Sequence, residues 1–331
     1  MTNFARAISD SPFSLRNYTS RDEALWEQFV NKADNATFLH SRKFLSYHGT
    51  RFQDASIIIS DKRDRIVGLM PAAISPQSLF HIVSHPGATF GGIVHCGQLS
   101  AQAMLDLFFQ LFKYLENLGY EQLSYKSVPY IYHQRPSEDD LYGFFRYGIQ
   151  ATRCDLSATI DLSSPIRPSS RRKKALKKAL DHNLIVDTGL HNLGEFWSVL
   201  QGNLKKKHNK DPVHLLSEIS ELCLRFPTEI ITKCIRQANE IVAGVILFDS
   251  PMVCHAQYIA ANERGYELSA LDLLFTHCIA FAKERSRRFF DFGVSTESGG
   301  HFLNVGLDTF KREFGSGSCI YSTYTVNLKN Q

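Results

Sequence analysis

The chain has 331 residues, 44% hydrophobic and 12% aromatic, which excludes a disordered protein and makes two packed domains the natural expectation. A formal net charge of +4 suits a polyanionic ligand but is too small to mark a DNA-binding protein by itself. No leader precedes Phe4, no run approaches the roughly 20 apolar residues of a membrane span, and the seven cysteines form no C-x-x-C pair, so the protein reads as cytoplasmic and reduced.

In chain order, residues 22–30 read as a helix and 41–48 as a second. A strand pair follows at 55–60 and 65–70, joined by a turn at 61–64. Residues 81–95 read as a strand-loop-strand in which Gly87, Gly91 and Gly92 permit tight turns. An amphipathic helix at 104–115 leads to a strand at 122–127, which carries Lys126 near its end. Residues 129–136 form a loop with Tyr130, Tyr132, His133 and Arg135, and Ser137 begins the cap of a helix reaching Tyr147. Residues 149–162 alternate as a strand, with Arg153 and Asp155 on one face and Cys154 and Leu156 on the other.

The proline-containing stretch 163–170 is the best linker, dividing the chain into 1–163 and 164–331. A basic helix at 171–180 follows, with Ala175, Leu176, Ala179 and Leu180 on its apolar face; its basic residues 171–178, Arg171 first among them, read as a grip on a nucleotide diphosphate, CoA phosphates or tRNA, or as a solvated face. Helices near 193–206 and 212–225 enclose a basic run in which His208 is a candidate cleft residue. Strands are expected at 229–235, 240–248 and 253–262, then a helix at 268–282 and a strand at 289–293. The polar loop holding Arg264 and Gly265 opens on that helix at Leu268, Ser269 and Ala270, where unpaired N–H groups and the helix dipole favour an anion. Such a strand-loop-helix-strand unit suits a phosphate-bearing cofactor, as in N-acyltransferases that use acyl-CoA. The first half repeats the order strand pair, helix, strand, which implies an internal duplication.

These elements, with the motif 289–297 and the run 306–315, resemble the GNAT superfamily and, within it, the FemAB-like branch. The resemblance implies an α/β (α+β) fold of two tandem GNAT-like domains, each a mixed, mostly antiparallel sheet flanked by helices, with the substrate between them. Tyr132-His133, Pro212-Val213-His214 and His255-Ala256-Gln257-Tyr258 are more similar still to N-acyltransferases of bacterial surface-polysaccharide synthesis. Those act on nucleotide-linked 3-amino-3,6-dideoxyhexoses, and one kind transfers a 3-hydroxybutyryl group. The glycine-rich pyrophosphate loop of GNAT proteins is represented only by Arg264-Gly265 and Ser269-Ala270, so an acyl-CoA donor follows from the resemblance alone. FemAB-like relatives use aminoacyl-tRNA, which keeps that donor as an alternative; a binding protein without catalysis is another.

N-acylation requires a neutral amine, stabilisation of a tetrahedral oxyanion and a route for the released proton. His255 and Gln257 are two apart on one strand and are expected to share a face. Asp291 lies between Phe290 and Phe292 and needs a partner there, either as a structural acid or as a group that binds or deprotonates the amine. His255 reads equally as a packed or a ligand-facing histidine. His133, among loop aromatics, reads as a substrate contact or a packing residue, and Glu297 and His301 as site residues or a surface turn. Lys126 and Lys311 come from the resemblance, which places them in the FemAB cleft and near the reacting carbonyl; spacing alone makes both exposed. His81, His85, His95 and Cys96 do not form a metal motif, because Pro86 and Gly87 break the helix and no acid joins them. No metal, P-loop or serine elbow is expected.

Overall fold

In a computed structural model, which describes residues 12–330 apart from the side chains of residues 207, 208 and 330, the chain divides into two compact units. One comprises Met1–Asp155 with Ile320–Gln331, the other Leu156–Cys319. The chain passes between them inside two strands, whereas the linker reading had placed a single crossing at 163/164.

The first unit opens with β1 (Phe13–Asn17), α1 (Glu23–Val30) and α2 (Arg42–Leu45). The expected helix at 41–48 is thus split, its last three residues tightening into a 3₁₀ turn. β2 (Ile57–Asp61) and β3 (Ile66–Met70) form an antiparallel sheet with β1. β4 (Ala73–Ser75) and β5 (Ser78–Val83) precede α3 (Ala101–Asn117) and β6 (Gln122–Lys126). The second strand expected before residue 95 is reduced to a single bridge, Leu69 with Val94. α3 buries Leu107, Phe108, Leu111 and Leu115 at its 3.6-residue period against Leu123 and Tyr125 of β6. α4 (Asp139–Arg146) follows, then β7 (Ala151–Asp161), whose first residues belong to this unit and whose remainder starts the second.

The second unit continues with α5 (Ser170–Leu180), β8 (Ile185–Thr188), α6 (Leu193–His208) and α7 (Leu216–Arg225). β8 was not expected; its four residues are too few for a periodic signal. The apolar face of α5 is also corrected. Leu180 is 63% exposed and Arg172 is buried, because the face runs 172, 175, 176, 179, and Leu180 lies a further 100° round. Next come β9 (Ile230–Gln237), β10 (Glu240–Asp249), β11 (Val253–Ala261), α8 (Glu263–Glu267), α9 (Ala270–Glu284) and β12 (Phe289–Val294). Strand order in this unit is β7-β12-β11-β10-β9-β8; only β11 and β12 run parallel, with α9 connecting them. Leu274, Phe275, Cys278 and Ala282 of α9 pack on the apolar faces of β10, β11 and β12. A small hairpin, β13 (Thr296–Glu297) and β14 (Phe302–Leu303), leads to α10 (Val305–Arg312). β15 (Gly317–Asn327) ends the unit and crosses to the first, where it pairs antiparallel with β6. There β5 and β6 are also parallel and bridged by α3, so the duplicated order is present in both units.

Candidate active site

Three neighbouring strands of the second unit build the site by register alone. Asp291 of β12 lies opposite Thr159 of β7 and opposite His255 of β11. Pleating turns Phe290 and Phe292 into the core under α9 and Asp291 to the other face, into the same row as Thr159 and His255. Asp291 is fully buried. Its Oδ1 accepts hydrogen bonds from Ser157 Oγ and Thr159 Oγ1, both at 2.6 Å, and its Oδ2 faces His255 Nδ1 at 2.7 Å. Burial pushes this carboxyl up, but the hydrogen bond and charge of His255 with the two hydroxyls outweigh it, so Asp291 is held below the usual carboxylate range. An ionised carboxylate only accepts, so His255 carries a proton on Nδ1 and, when neutral, presents the lone pair of Nε2.

Beyond this row the two parallel strands part. Pairing of β11 with β12 ends at His255 and Asp291, and the register of β12 on β7 shifts between Asp291 and Val294. Gly293 takes φ +78° at the bend, with its Cα hydrogen directed so that a Cβ would lie 3.4 Å from His255 Cε1. The carbonyls of Gly293 and Val294 accept from Lys311 Nζ at 2.8 and 2.7 Å. Lys311 projects from α10 and is 4% exposed. Desolvation lowers its ammonium to about 8, against the opposing pull of Asp291 and Asp308. The exposed helix lysine that spacing alone implied is therefore a buried cation beside the acid–histidine pair.

β11 is irregular at the same level. Leu247 pairs with Ala256 and Ile246 with Tyr258, which leaves Gln257 as the extra residue of a bulge. Strict alternation, on which His255 and Gln257 were to share a face, does not hold across 256–258. Gln257 Oε1 is buried and has no hydrogen-bond partner among the described residues. Tyr258 Oη hydrogen-bonds with His214 Nδ1 at 2.5 Å, and the Tyr258 ring meets the edge of Trp197, with 5.3 Å between ring centroids.

The anion site expected at 264–270 takes a different form. The loop is mostly helix: Asn262 caps α8 by accepting from Gly265 N at 2.8 Å. A Cβ on Gly265 would come 2.1 Å from the Val242 carbonyl, so this glycine permits helix–strand packing. Leu268 and Ala270 are buried, and Ser269 adopts φ +57°. Arg264 pairs with Glu267 and bonds Gln237. In the first turn of α9 the buried Asp272 already occupies the positive end of the helix and pairs with Arg172 at 2.9 Å. Arg172 also lies 3.0 Å from Glu313 and over the rings of Phe310 and Phe314.

The remaining expected residues are dispersed. Arg171 is exposed, 3.7 Å from Glu313. Glu297 and His301 lie on the exposed β13–β14 hairpin, where Glu297 accepts from Asn304. The side chain of His208 lies outside the described residues. Lys126, Tyr132 and His133 belong to the first unit. Lys126 is not a solvated strand-end residue: its Nζ donates to the carbonyls of His85 and Ala88 at 3.0 and 2.8 Å, and burial lowers it to about 8. Tyr132 is buried, its hydroxyl 3.0 Å from that of Tyr321. His133 is likewise buried, and its Nε2 is engaged by the Val128 carbonyl at 3.0 Å. Sequence reasoning missed Ser157, Thr159 and Arg172. The first two left a signal only in being polar, two apart and on a strand otherwise rich in buried residues.

Among the described residues no group of three or more His, Cys, Asp or Glu is placed to hold a metal ion, and no helix is long and apolar enough to cross a membrane. Residues 169–312 match the acetyltransferase (GNAT) domain family. The fold is similar to that of FemX, at a TM-score of 0.67 and 9% identity, covering 96% of this chain and 98% of FemX. It is similar also to L-PGS from Bacillus licheniformis, at 0.60 and 12% identity with 96% and 94% covered. The tandem GNAT protein of the clavulanic acid biosynthesis pathway gives 0.52 and 7% identity, with 96% and 98% covered. No curated protein sequence matches the chain. Residues 169–312 therefore form a GNAT domain, and the chain has the FemAB-like tandem GNAT fold.

Proposed function

We propose that this protein transfers an acyl group from acyl-CoA to the amine of a nucleotide-linked amino sugar, in the cytoplasm, for the synthesis of a surface polysaccharide. The acceptor class follows the resemblance to enzymes of 3-amino-3,6-dideoxyhexoses, and 3-hydroxybutyryl is the first acyl group to test. The supporting observation is the His255–Asp291 pair at the point where β11 and β12 part. His255 Nε2 accepts the proton that the amine releases as it attacks the thioester carbonyl, and Asp291 stabilises the imidazolium that results. The bulge at Gln257 takes this residue's N–H out of the regular ladder, which makes it a candidate donor to the oxyanion. Lys311 holds the end of β12 and adds positive charge beside the reacting centre.

The test is release of CoA thiol across a panel of acyl-CoAs and nucleotide-linked amino sugars. Acceptor-dependent release by the wild type, lost in His255→Asn with acyl-CoA binding retained, supports the proposal. Binding without turnover by the wild type throughout the panel refutes it and favours a binding protein. A second reading, transfer from aminoacyl-tRNA, is favoured by the exposed Lys173, Lys174, Lys177 and Lys178 on α5. Transfer that requires charged tRNA and falls steeply with salt would select it.

A further inference from the structure

We propose that Ser157 and Thr159 are positioning residues that fix the ring tautomer of His255 through Asp291, so that β7 completes the catalytic machinery of β11 and β12. The inference rests on the reading of His255 as the base.

Asp291 has no exposed surface and is flanked by phenylalanines, an environment in which a carboxylate stays ionised only if its lone pairs are met by donors. His255 meets one oxygen only. The other receives both hydroxyl hydrogens of β7 at 2.6 Å, the short range of charge-assisted O–H···O⁻ bonds. Each hydroxyl has one hydrogen to give, so both are committed to Asp291 Oδ1. The backbone is arranged for this double contact. Thr159 stands directly across from Asp291, and Ser157, two residues along β7, shares its face and reaches the same oxygen, its backbone lying opposite Val294 beyond the register shift. Both side chains are buried, Ser157 completely.

Without these donors the unsolvated carboxylate would take a proton or turn to find another partner. Either change removes the acceptor-only oxygen that requires hydrogen on His255 Nδ1, and the ring is then free to carry it on Nε2. A ring so protonated cannot accept from an amine. Misassigned tautomers of this kind are costly even when geometry is preserved.

The experiment compares wild type, Ser157→Ala/Thr159→Val and Thr159→Ser, each checked for folding by circular dichroism and thermal melting. Long-range proton–nitrogen correlation spectra of ¹⁵N-histidine protein report the His255 tautomer, assigned by its loss in His255→Asn. The expected result is the Nδ1–H pattern in wild type and Thr159→Ser, and loss of that pattern in the double variant. The kcat of acyl transfer falls by about 10- to 100-fold in the double variant, the range seen when the outer partners that orient a metal-ligating histidine are removed, with KM little changed. An unaltered tautomer in the folded double variant overturns the proposal whatever the activity. A changed tautomer with full kcat leaves the positioning role standing and refutes His255 as the base. Should the double variant not fold, Ser157→Ala and Thr159→Val singly are read by the same spectrum, and retention of the pattern in both overturns the inference.

Discussion

Replacing Lys311 by Met removes a buried cation while keeping a flexible chain of similar length, and its effect on stability has a pH signature. Burial lowers the ammonium from 10.5 to about 8 in the folded chain. Between these values the folded protein has lost the proton and the unfolded chain still holds it. The unfolded state therefore binds more protons, and the contribution of this site to stability rises with pH across that window. At about 1.4 kcal/mol per pH unit, the interval amounts to about 3 kcal/mol. Loss of the two bonds to Gly293 and Val294 lowers stability at every pH, so it displaces the curve without tilting it. Lys126, lowered in the same way, is present in both proteins and cancels. The stability of wild type relative to Lys311→Met should thus grow by about 3 kcal/mol from about pH 8 to about pH 10.5, measured by urea unfolding at fixed ionic strength. Parallel curves over this range would refute the burial argument for Lys311. In activity assays the same variant should lose kcat more than it gains KM, by about 100-fold if the ammonium meets charge that develops in the transition state.

Asp291→Asn should keep acyl-CoA binding in calorimetry while kcat falls by up to about 10⁴-fold, because an amide N–H facing His255 Nδ1 imposes the wrong tautomer; a variant that does not fold would make Asp291 a structural acid. Gly293→Ala places a Cβ at φ +78° and against His255, so it should cost about 1–2 kcal/mol in thermal or urea unfolding and lower kcat. Arg172→Met strands Asp272 and Glu313 without their cation and should destabilise by about 3–5 kcal/mol, with much of the loss recovered when Asp272 is also replaced by Leu.

Local patterns carried the elements well. The apolar period of α3 and α9 and the polar residue between two phenylalanines in β12 were readable because each signal lies within a few residues. The partners of Asp291 were not readable, since Ser157 and Thr159 lie 134 and 132 positions away in sequence and on a strand assigned to the other domain. Small hydroxyl residues on a strand look the same whether they face solvent or a buried acid. The α8 helix was obscured by Gly265, which argues against helix locally but is required by close packing on Val242. Lys126 and Lys311 look like surface residues because the carbonyls that hold them belong to segments distant in sequence. In each case a long-range contact overrode a local preference.

The return of β15 to the first unit carries a consequence for how the chain is made. Val326 and Leu328 are buried in that unit's core, and Tyr324 stacks on Phe144 with ring centroids 4.3 Å apart. β6 has its antiparallel neighbour only once residues 323–327 exist. Domains emerging from a ribosome generally fold in order from the N-terminus. Here the part of the polypeptide synthesised first must wait for the part synthesised last, whereas Leu156–Cys319 forms one uninterrupted segment. A nascent chain halted before residue 320 would hold an open sheet edge on β6 for the duration of the pause, and would need a chaperone or speed to keep that edge from pairing elsewhere.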